Sequence, residues 1–157
     1  MSSSKSKIIF VTGATGNLGG AAARALLKNN FKVKALTRNP SNQKAIALQK
    51  AGAEIITGDL NDPRAYKKYL DDVDGIFSLQ TYENGIEKEI QQGISLAGIA
   101  KEIGIRHFVY SSVAGADLNT GTPHWACKLK VENYIKSLGI PYTIIRPVSL
   151  YENFLIP

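Results

Sequence analysis

The chain has 157 residues, 44% of them hydrophobic and 20% charged, and a formal net charge of +6. That length and balance suit one domain with a proper core and exclude a disordered or fibrous chain. The lysines are scattered (Lys28, Lys32, Lys34, Lys67, Lys68, Lys128, Lys130), so there is no clustered basic patch, and no nucleic-acid partner is expected.

Residues 1–7 carry no apolar stretch of the kind a secretory leader needs, and no later run approaches the length of a membrane span. Ile8, Ile9, Phe10 and Val11 form a short unbroken apolar run, as in a strand covered on both faces. Gly13, Gly16 and Gly19 follow at intervals of three, and the spacing predicts a helix over 17–29 with Leu18, Ala21, Ala22, Ala25 and Leu26 inward. A second strand is expected over 32–37, with Val33 and Ala35 on one face and Lys32 and Lys34 on the other. Ser41 is placed to cap a helix containing Ala45 and Leu48 that stops at Gly52. A third strand covers 54–57. Asp62 and Pro63 start another helix, with Tyr66 and Leu70 inward. The fourth strand covers 75–79 and a long helix 83–103, with Ile86, Ile90, Ile94, Ala97 and Ala100 as its stripe. A fifth strand over 107–110, a polar loop, a helix over 123–138 and a sixth strand over 142–145 complete the pattern. Strands and helices alternate with short connections, which implies an α/β fold: a doubly wound parallel sheet in the order 3-2-1-4-5-6, with its ligand at the carboxyl ends where the order reverses.

The first glycine turn has the form of a phosphate site. Gly13 permits the sharp turn, Gly16 lets a pyrophosphate approach the backbone, and Gly19 lets the helix pack on the strand. The helix N-terminus then offers unpaired N–H groups to an anion. After strand two, where an acid would hold a ribose 2′-hydroxyl, stands Arg38. A guanidinium suits a 2′-phosphate, so NADP(H) is expected in preference to NAD(H), which stays open. Asp59 and Leu60 follow strand three on the same edge; Asp59 suits either an adenine amino group or the cap of the next helix. Ser111 and Ser112 end strand five. His124 and Lys128, four apart, share a helix face. Lys128 is within reach of a nicotinamide ribose, and His124 is either a proton donor or a residue of the helix start. The single cysteine, Cys127, excludes a disulfide framework and suits a reducing, cytoplasmic setting. Beside Lys128 it is either a reactive thiolate or an inert buried thiol. Trp125 and Tyr134 read as packing residues, and no metal site is expected.

Several stretches together resemble the NmrA-like family of atypical short-chain dehydrogenases. They are Gly13-Ala14-Thr15-Gly16-Asn17-Leu18-Gly19-Gly20, Thr37-Arg38-Asn39-Pro40, Gly58-Asp59-Leu60, Val109-Tyr110-Ser111-Ser112, the His124/Lys128 helix with Val131-Glu132, Ile144-Ile145-Arg146-Pro147, and Tyr151-Glu152-Asn153-Phe154. The resemblance implies a Rossmann fold that binds NADP(H) through Gly13, Thr15, Gly16, Asn17, Leu18, Gly19, Arg38, Asp59, Leu60, Ser111 and Lys128. Members of the family include redox-sensing regulators without dehydrogenase activity and reductases of quinones or phenylpropanoids. Two departures matter. His124 stands where active short-chain dehydrogenases carry the tyrosine of Tyr-x-x-x-Lys, and the family's longer substrate-side segment is largely absent from residues 1–157. One NAD(P)-binding domain is therefore expected. The first expectation for its role is a non-catalytic, redox-responsive regulator acting through a protein partner, in the cytoplasm or, for a eukaryotic regulator, the nucleus. The alternatives are an NADPH-dependent reductase, with Lys128 and His124 at its reacting end, and a cofactor-free interaction fragment.

Overall fold

Six short apolar segments pair side by side, all parallel, in the order β3-β2-β1-β4-β5-β6. The computed structural model describes residues 6–118 and 121–155; the chain's ends and residues 119 and 120 of the expected polar loop lie outside them. The strands are β1 (Ile8–Val11), β2 (Lys32–Thr37), β3 (Glu54–Thr57), β4 (Gly75–Ser78), β5 (His107–Ser111) and β6 (Tyr142–Ile145). Val11 lies beside Ala35 on one side and Phe77 on the other, so the order reverses at β1, between β2 and β4. Helices α1 (Asn17–Lys28) and α2 (Gln43–Lys50) cover one face of the sheet. The short α3 (Pro63–Tyr66), α4 (Ile86–Glu102) and α5 (Pro123–Ser137) cover the other. Among the described residues no helix is long and apolar enough to cross a membrane.

Local chemistry moves several elements from their expected bounds. Asn39 Oδ1 accepts the Ser41 N–H, holding Ser41 in a turn, and Asn42 caps α2 by accepting from Lys44 N at 2.8 Å. The expected helix over 83–103 begins at Ile86, because Gly85 takes φ = +100° and separates it from a 3₁₀ turn at Tyr82–Asn84. The buried face of α4 also differs from the expected stripe: it carries Glu89, Gln92 and Gly93 beside Ile90, Leu96 and Ala97. At Gly93 a Cβ would lie 2.8 Å from a Val131 methyl, so the glycine lets α4 and α5 pack closely.

Lys34 corrects the expected alternation of β2. Every residue from Val33 to Thr37 is buried, Lys34 included, because a strand inside a parallel sheet has both faces covered. Its ammonium donates to Tyr69 O at 3.0 Å and to Asp72 at 2.5 Å, both in the segment that follows α3.

A second buried charge fastens α5 to the ends of β5 and β6. Glu132 is fully buried and accepts from Ser112 Oγ at 2.6 Å and from Arg146 Nε and Nη2 at 2.9 and 2.7 Å. Arg146 also reaches Asp117 at 2.7 Å. Burial alone would raise the Glu132 carboxyl, but the hydrogen bonds from Arg146 and Ser112 outweigh it and hold the group below the ordinary glutamate value. A carboxylate depressed in the folded state stabilises the fold above its unfolded pKa and loses that contribution as pH falls through the folded value. Glu132→Gln should therefore lower the melting temperature at pH 7 by roughly 5 °C. The gap between variant and wild type should close as pH is taken well below 4.5, the ordinary value for the group. Thermal melts at pH 7 and in acid check this.

Candidate functional site

The site is built where β1 gives way to α1. Thr12, buried at the end of β1, donates its hydroxyl to Leu79 O at 2.9 Å and accepts Leu79 N–H at 2.8 Å. This ties the exits of β1 and β4 together. Gly13 then turns with φ = +63°, a left-handed conformation that L side chains rarely adopt. Gly16 N donates back to Gly13 O at 2.9 Å, and Gly16 is the N-cap of α1. A Cβ at Gly19 would lie 2.2 Å from Gly13 O and 2.9 Å from Thr12 O, so only glycine fits. No side chain caps α1 and its first turn holds no acid. Its leading amides, which lack intrahelical acceptors, and the positive end of its dipole belong to this turn.

A cleft of about 250 Å³ opens beside the turn. Gly13 and Thr15 form one wall; Leu79, Gln80 and Thr81 come from the exit of β4. Leu36, Thr37, Arg38, Asn39 and Asn42 come from β2 and the cap of α2, Gly58, Asp59 and Leu60 follow β3, and Gln92 reaches in from α4. Gly13, Thr15, Arg38, Asp59 and Leu60 of the expected residues are thus brought together. Gly16, Asn17, Leu18 and Gly19 form the adjoining turn and helix start rather than the cleft wall.

Arg38 is exposed at the rim, on a turn that Thr37 Oγ1 stabilises by accepting the Asn39 N–H at 3.2 Å. Among the described residues, Asp59 is the one carboxylate lining the cleft. Its Oδ1 accepts from Asn61 N and Nδ2, both at 2.8 Å, while the cap of α3 is Asp62, which accepts from Arg64 N. Of the two roles open to Asp59 from the sequence, the helix cap therefore falls to Asp62. Gln80, Thr81, Asn42 and Gln92 are lining residues that sequence reasoning missed. Nothing marks them locally, since they meet only when β4, α2 and α4 assemble.

Lys128, His124 and Ser111 lie outside the cleft lining, in a drier cluster joined to it through Gln80. Lys128 Nζ stands 2.6 Å from Glu89 Oε1 and donates to Gln80 O at 3.0 Å and Ser111 O at 3.3 Å. The ammonium is thus held by one ion-pair contact and by two hydrogen bonds to backbone carbonyls. The Lys128 side chain is 4% exposed and that of Glu89 is fully buried. His124 shares the α5 face with Lys128, as expected. Its Nδ1 lies 3.6 Å from Glu89 Oε2, beyond a hydrogen bond, and its ring centre lies 4.7 Å from that of Tyr82. Ser111 Oγ is buried and has no hydrogen-bond partner among the described residues. The Cys127 thiol is pushed up to about 12, first by burial and then by the Glu89 carboxylate, so of its two readings the inert one holds. Trp125 packs over Gly115, and Tyr134 packs against the core. Glu89 was missed because its charge suggests a solvated position. Its distances of three and four residues from Ile86 and Gly93 were the available signal that it shares their face.

The chain matches the model of the NmrA-like family over residues 5–157. An NmrA-like family domain-containing protein of Dictyostelium discoideum is 36% identical over 140 residues, covering 85% of this chain and 46% of that protein. The triphenylmethane reductase of Citrobacter sp., solved with NADP(H), superposes with a TM-score of 0.79 at 30% identity, over 94% of this chain and 51% of the reductase. The negative transcriptional regulator NmrA, solved with NAD, gives 0.80 at 29% identity, over 90% of this chain and 45% of the regulator. The chain spans about half the length of the relatives it matches. With the six-stranded order, the glycine turn and the match over nearly all its residues, this chain belongs to the NmrA-like family, whose Rossmann fold binds nicotinamide dinucleotides.

Proposed function

We propose that the cleft at the switch point binds NADP(H) and that the chain is the cofactor-reading part of a redox-responsive regulator that signals to a protein partner. The observation that carries the binding is the uncapped N-terminus of α1, held on the Gly13 turn by Gly19 and opening beside Arg38. Gly13, Thr15, Gly16, Asn17, Leu18 and Gly19 would hold the pyrophosphate, Arg38 the 2′-phosphate, and Asp59 and Leu60 the adenine. Ser111 and Lys128 would meet the nicotinamide ribose, with the unpartnered Ser111 Oγ as one available group.

The regulator reading draws on the acid–base groups. His124 replaces the tyrosine that alcohol–ketone chemistry uses, and Lys128 is held inside the protein by the Glu89 carboxylate and two backbone carbonyls. A second reading, an NADPH-dependent reductase of quinone-like or phenylpropanoid-like acceptors, is favoured by the likeness to the triphenylmethane reductase. The cofactor would supply a hydride, and direct transfer to such an acceptor needs no tyrosine acid. Incubation with NADPH and a panel of quinones, following nicotinamide absorbance, separates the two. The regulator should show no turnover above background, and sustained turnover makes the chain a reductase.

Gly16 and Gly19 should respond differently to the same change. A Cβ at Gly16 meets only Gly13 O, at 3.2 Å, so Gly16→Val should keep the fold and abolish NADPH binding. Gly19→Val drives carbon into the Gly13 carbonyl and should instead lower the melting temperature sharply. Melts and cofactor titrations on both variants check this, and undiminished affinity in a folded Gly16→Val protein would falsify the phosphate-turn assignment.

The 2′-phosphate is the chemical difference between NADPH and NADH. A charge-assisted hydrogen bond contributes on the order of 1.5–3 kcal/mol, so NADPH should bind at least about tenfold tighter than NADH. Arg38→Ala should remove most of that preference by weakening NADPH alone. High salt should shrink it too, because Arg38 is exposed. Paired fluorescence titrations decide the matter; equal wild-type affinities would mean that Arg38 does not read the phosphate.

A further inference from the structure

Glu89 is a fully buried carboxylate whose close cationic partner is Lys128, 2.6 Å away and itself 4% exposed. The pair bridges α4 and α5 and ends on two strand exits, through Lys128 Nζ to Gln80 O at 3.0 Å and Ser111 O at 3.3 Å. Taking two charges out of water is costly, and such a pair adds little stability over neutral residues of similar volume. What it supplies is an ammonium held at a defined point.

We propose that Glu89 is a positioning residue for the cofactor: it fixes the Lys128 ammonium at the exits of β4 and β5 as the group that meets the nicotinamide ribose. This rests on the reading of the cleft as an NADP(H) site. Gln80 makes the connection, since its side of β4 lines the cleft while its carbonyl accepts from Lys128. Arg38, Asp59 and the cap of α2 crowd the opposite, adenine end. Of the three Lys128 contacts, the one to Ser111 O is the longest, so a ribose hydroxyl replaces it most readily. The Ser111 hydroxyl, buried and unpartnered, is on the same strand end to complete the contact. Glu89 keeps its hold on the ammonium through this exchange, so the lysine does not swing away as one backbone partner is given up.

Because Glu89 would act on the nicotinamide half only, 2′,5′-ADP separates positioning from general loosening of the fold. Affinities for NADPH and for 2′,5′-ADP are measured by calorimetry on wild type, Glu89→Gln, Glu89→Asp and the double variant Glu89→Gln/Lys128→Met. The double variant replaces the pair by neutral side chains and leaves no unpaired buried charge, so it keeps the test readable if Glu89→Gln by itself loosens the fold. The expected result is NADPH binding about tenfold weaker in the double variant, with 2′,5′-ADP within about twofold of wild type. Glu89→Gln should lose as much NADPH affinity as the double variant, and Glu89→Asp should recover most of it. Equal losses for both ligands in Glu89→Gln or in the double variant, or wild-type NADPH affinity in either, would overturn the assignment while leaving the cofactor reading intact. A wild-type protein that binds neither ligand would overturn both.

Discussion

The contact between Gly19 and the carbonyl of Gly13 sets the geometry of the ligand edge. A single added carbon would sit 2.2 Å from that oxygen, well inside van der Waals contact, so the first turn of α1 lies directly on the strand–helix turn. From this follow the position of the helix amides, the left-handed Gly13 and the packing of Leu79 against it, 2.9 Å from where a Gly13 Cβ would be. Thr12 then locks the exit of β4 to the exit of β1 with two hydrogen bonds. The order of the sheet reverses between these two strands, and a crevice must open there because consecutive connections leave toward opposite faces.

Buried charge is the second organising feature of the fold. Lys34 with Asp72 joins β2 to the turn before β4, Glu89 with Lys128 joins α4 to α5, and Glu132 with Arg146 joins α5 to the exit of β6. Glu132 is satisfied by Arg146, Ser112 and Lys136, which offsets the cost of its burial. Glu89 relies on Lys128 at bonding distance, with His124 standing off at 3.6 Å. Losing the partner of such a group costs several kcal/mol, about 3–5 for a fully buried charge, so each network ties its elements in register without making the core more apolar.

The two ends of the candidate site differ in their physical character. Around Arg38, Asn39 and Asp59 the cleft is open and polar, and salt screens what binds there. Around Lys128, Glu89 and Ser111 the groups are buried, so electrostatic interactions are strong and rearrangement is costly. A dinucleotide lying across both would be recognised by charge at one end and oriented by fixed hydrogen bonds at the other. Comparable halves occur in a reductase solved with NADP(H) and in a transcriptional regulator solved with NAD. The fold thus leaves the choice between chemistry and signalling to groups beyond the cofactor cradle.

The parallel sheet and its strand order were legible in the chain, because alternating strand and helix periodicities with short connections admit few topologies. So was the glycine turn: Gly13, with its left-handed backbone, and Gly19, lying on the Gly13 carbonyl, stand where a side chain does not fit. Arg38 and Asp59 could be placed at the ligand edge because each follows directly on a strand, where position along the chain is position in space. What the sequence could not decide is whatever depends on several elements meeting. Lys34 reads as an outward residue of an alternating strand, yet both faces of β2 are covered. Glu89 reads as a solvated charge, yet close packing at Gly93 brings it inside to Lys128. Gln80 and Gln92 become lining residues only once β4 and α4 flank the crevice. Periodicity reports the environment of one element at a time, whereas the partner of a buried charge is set by tertiary packing, which alone brings residues 39 positions apart within 2.6 Å.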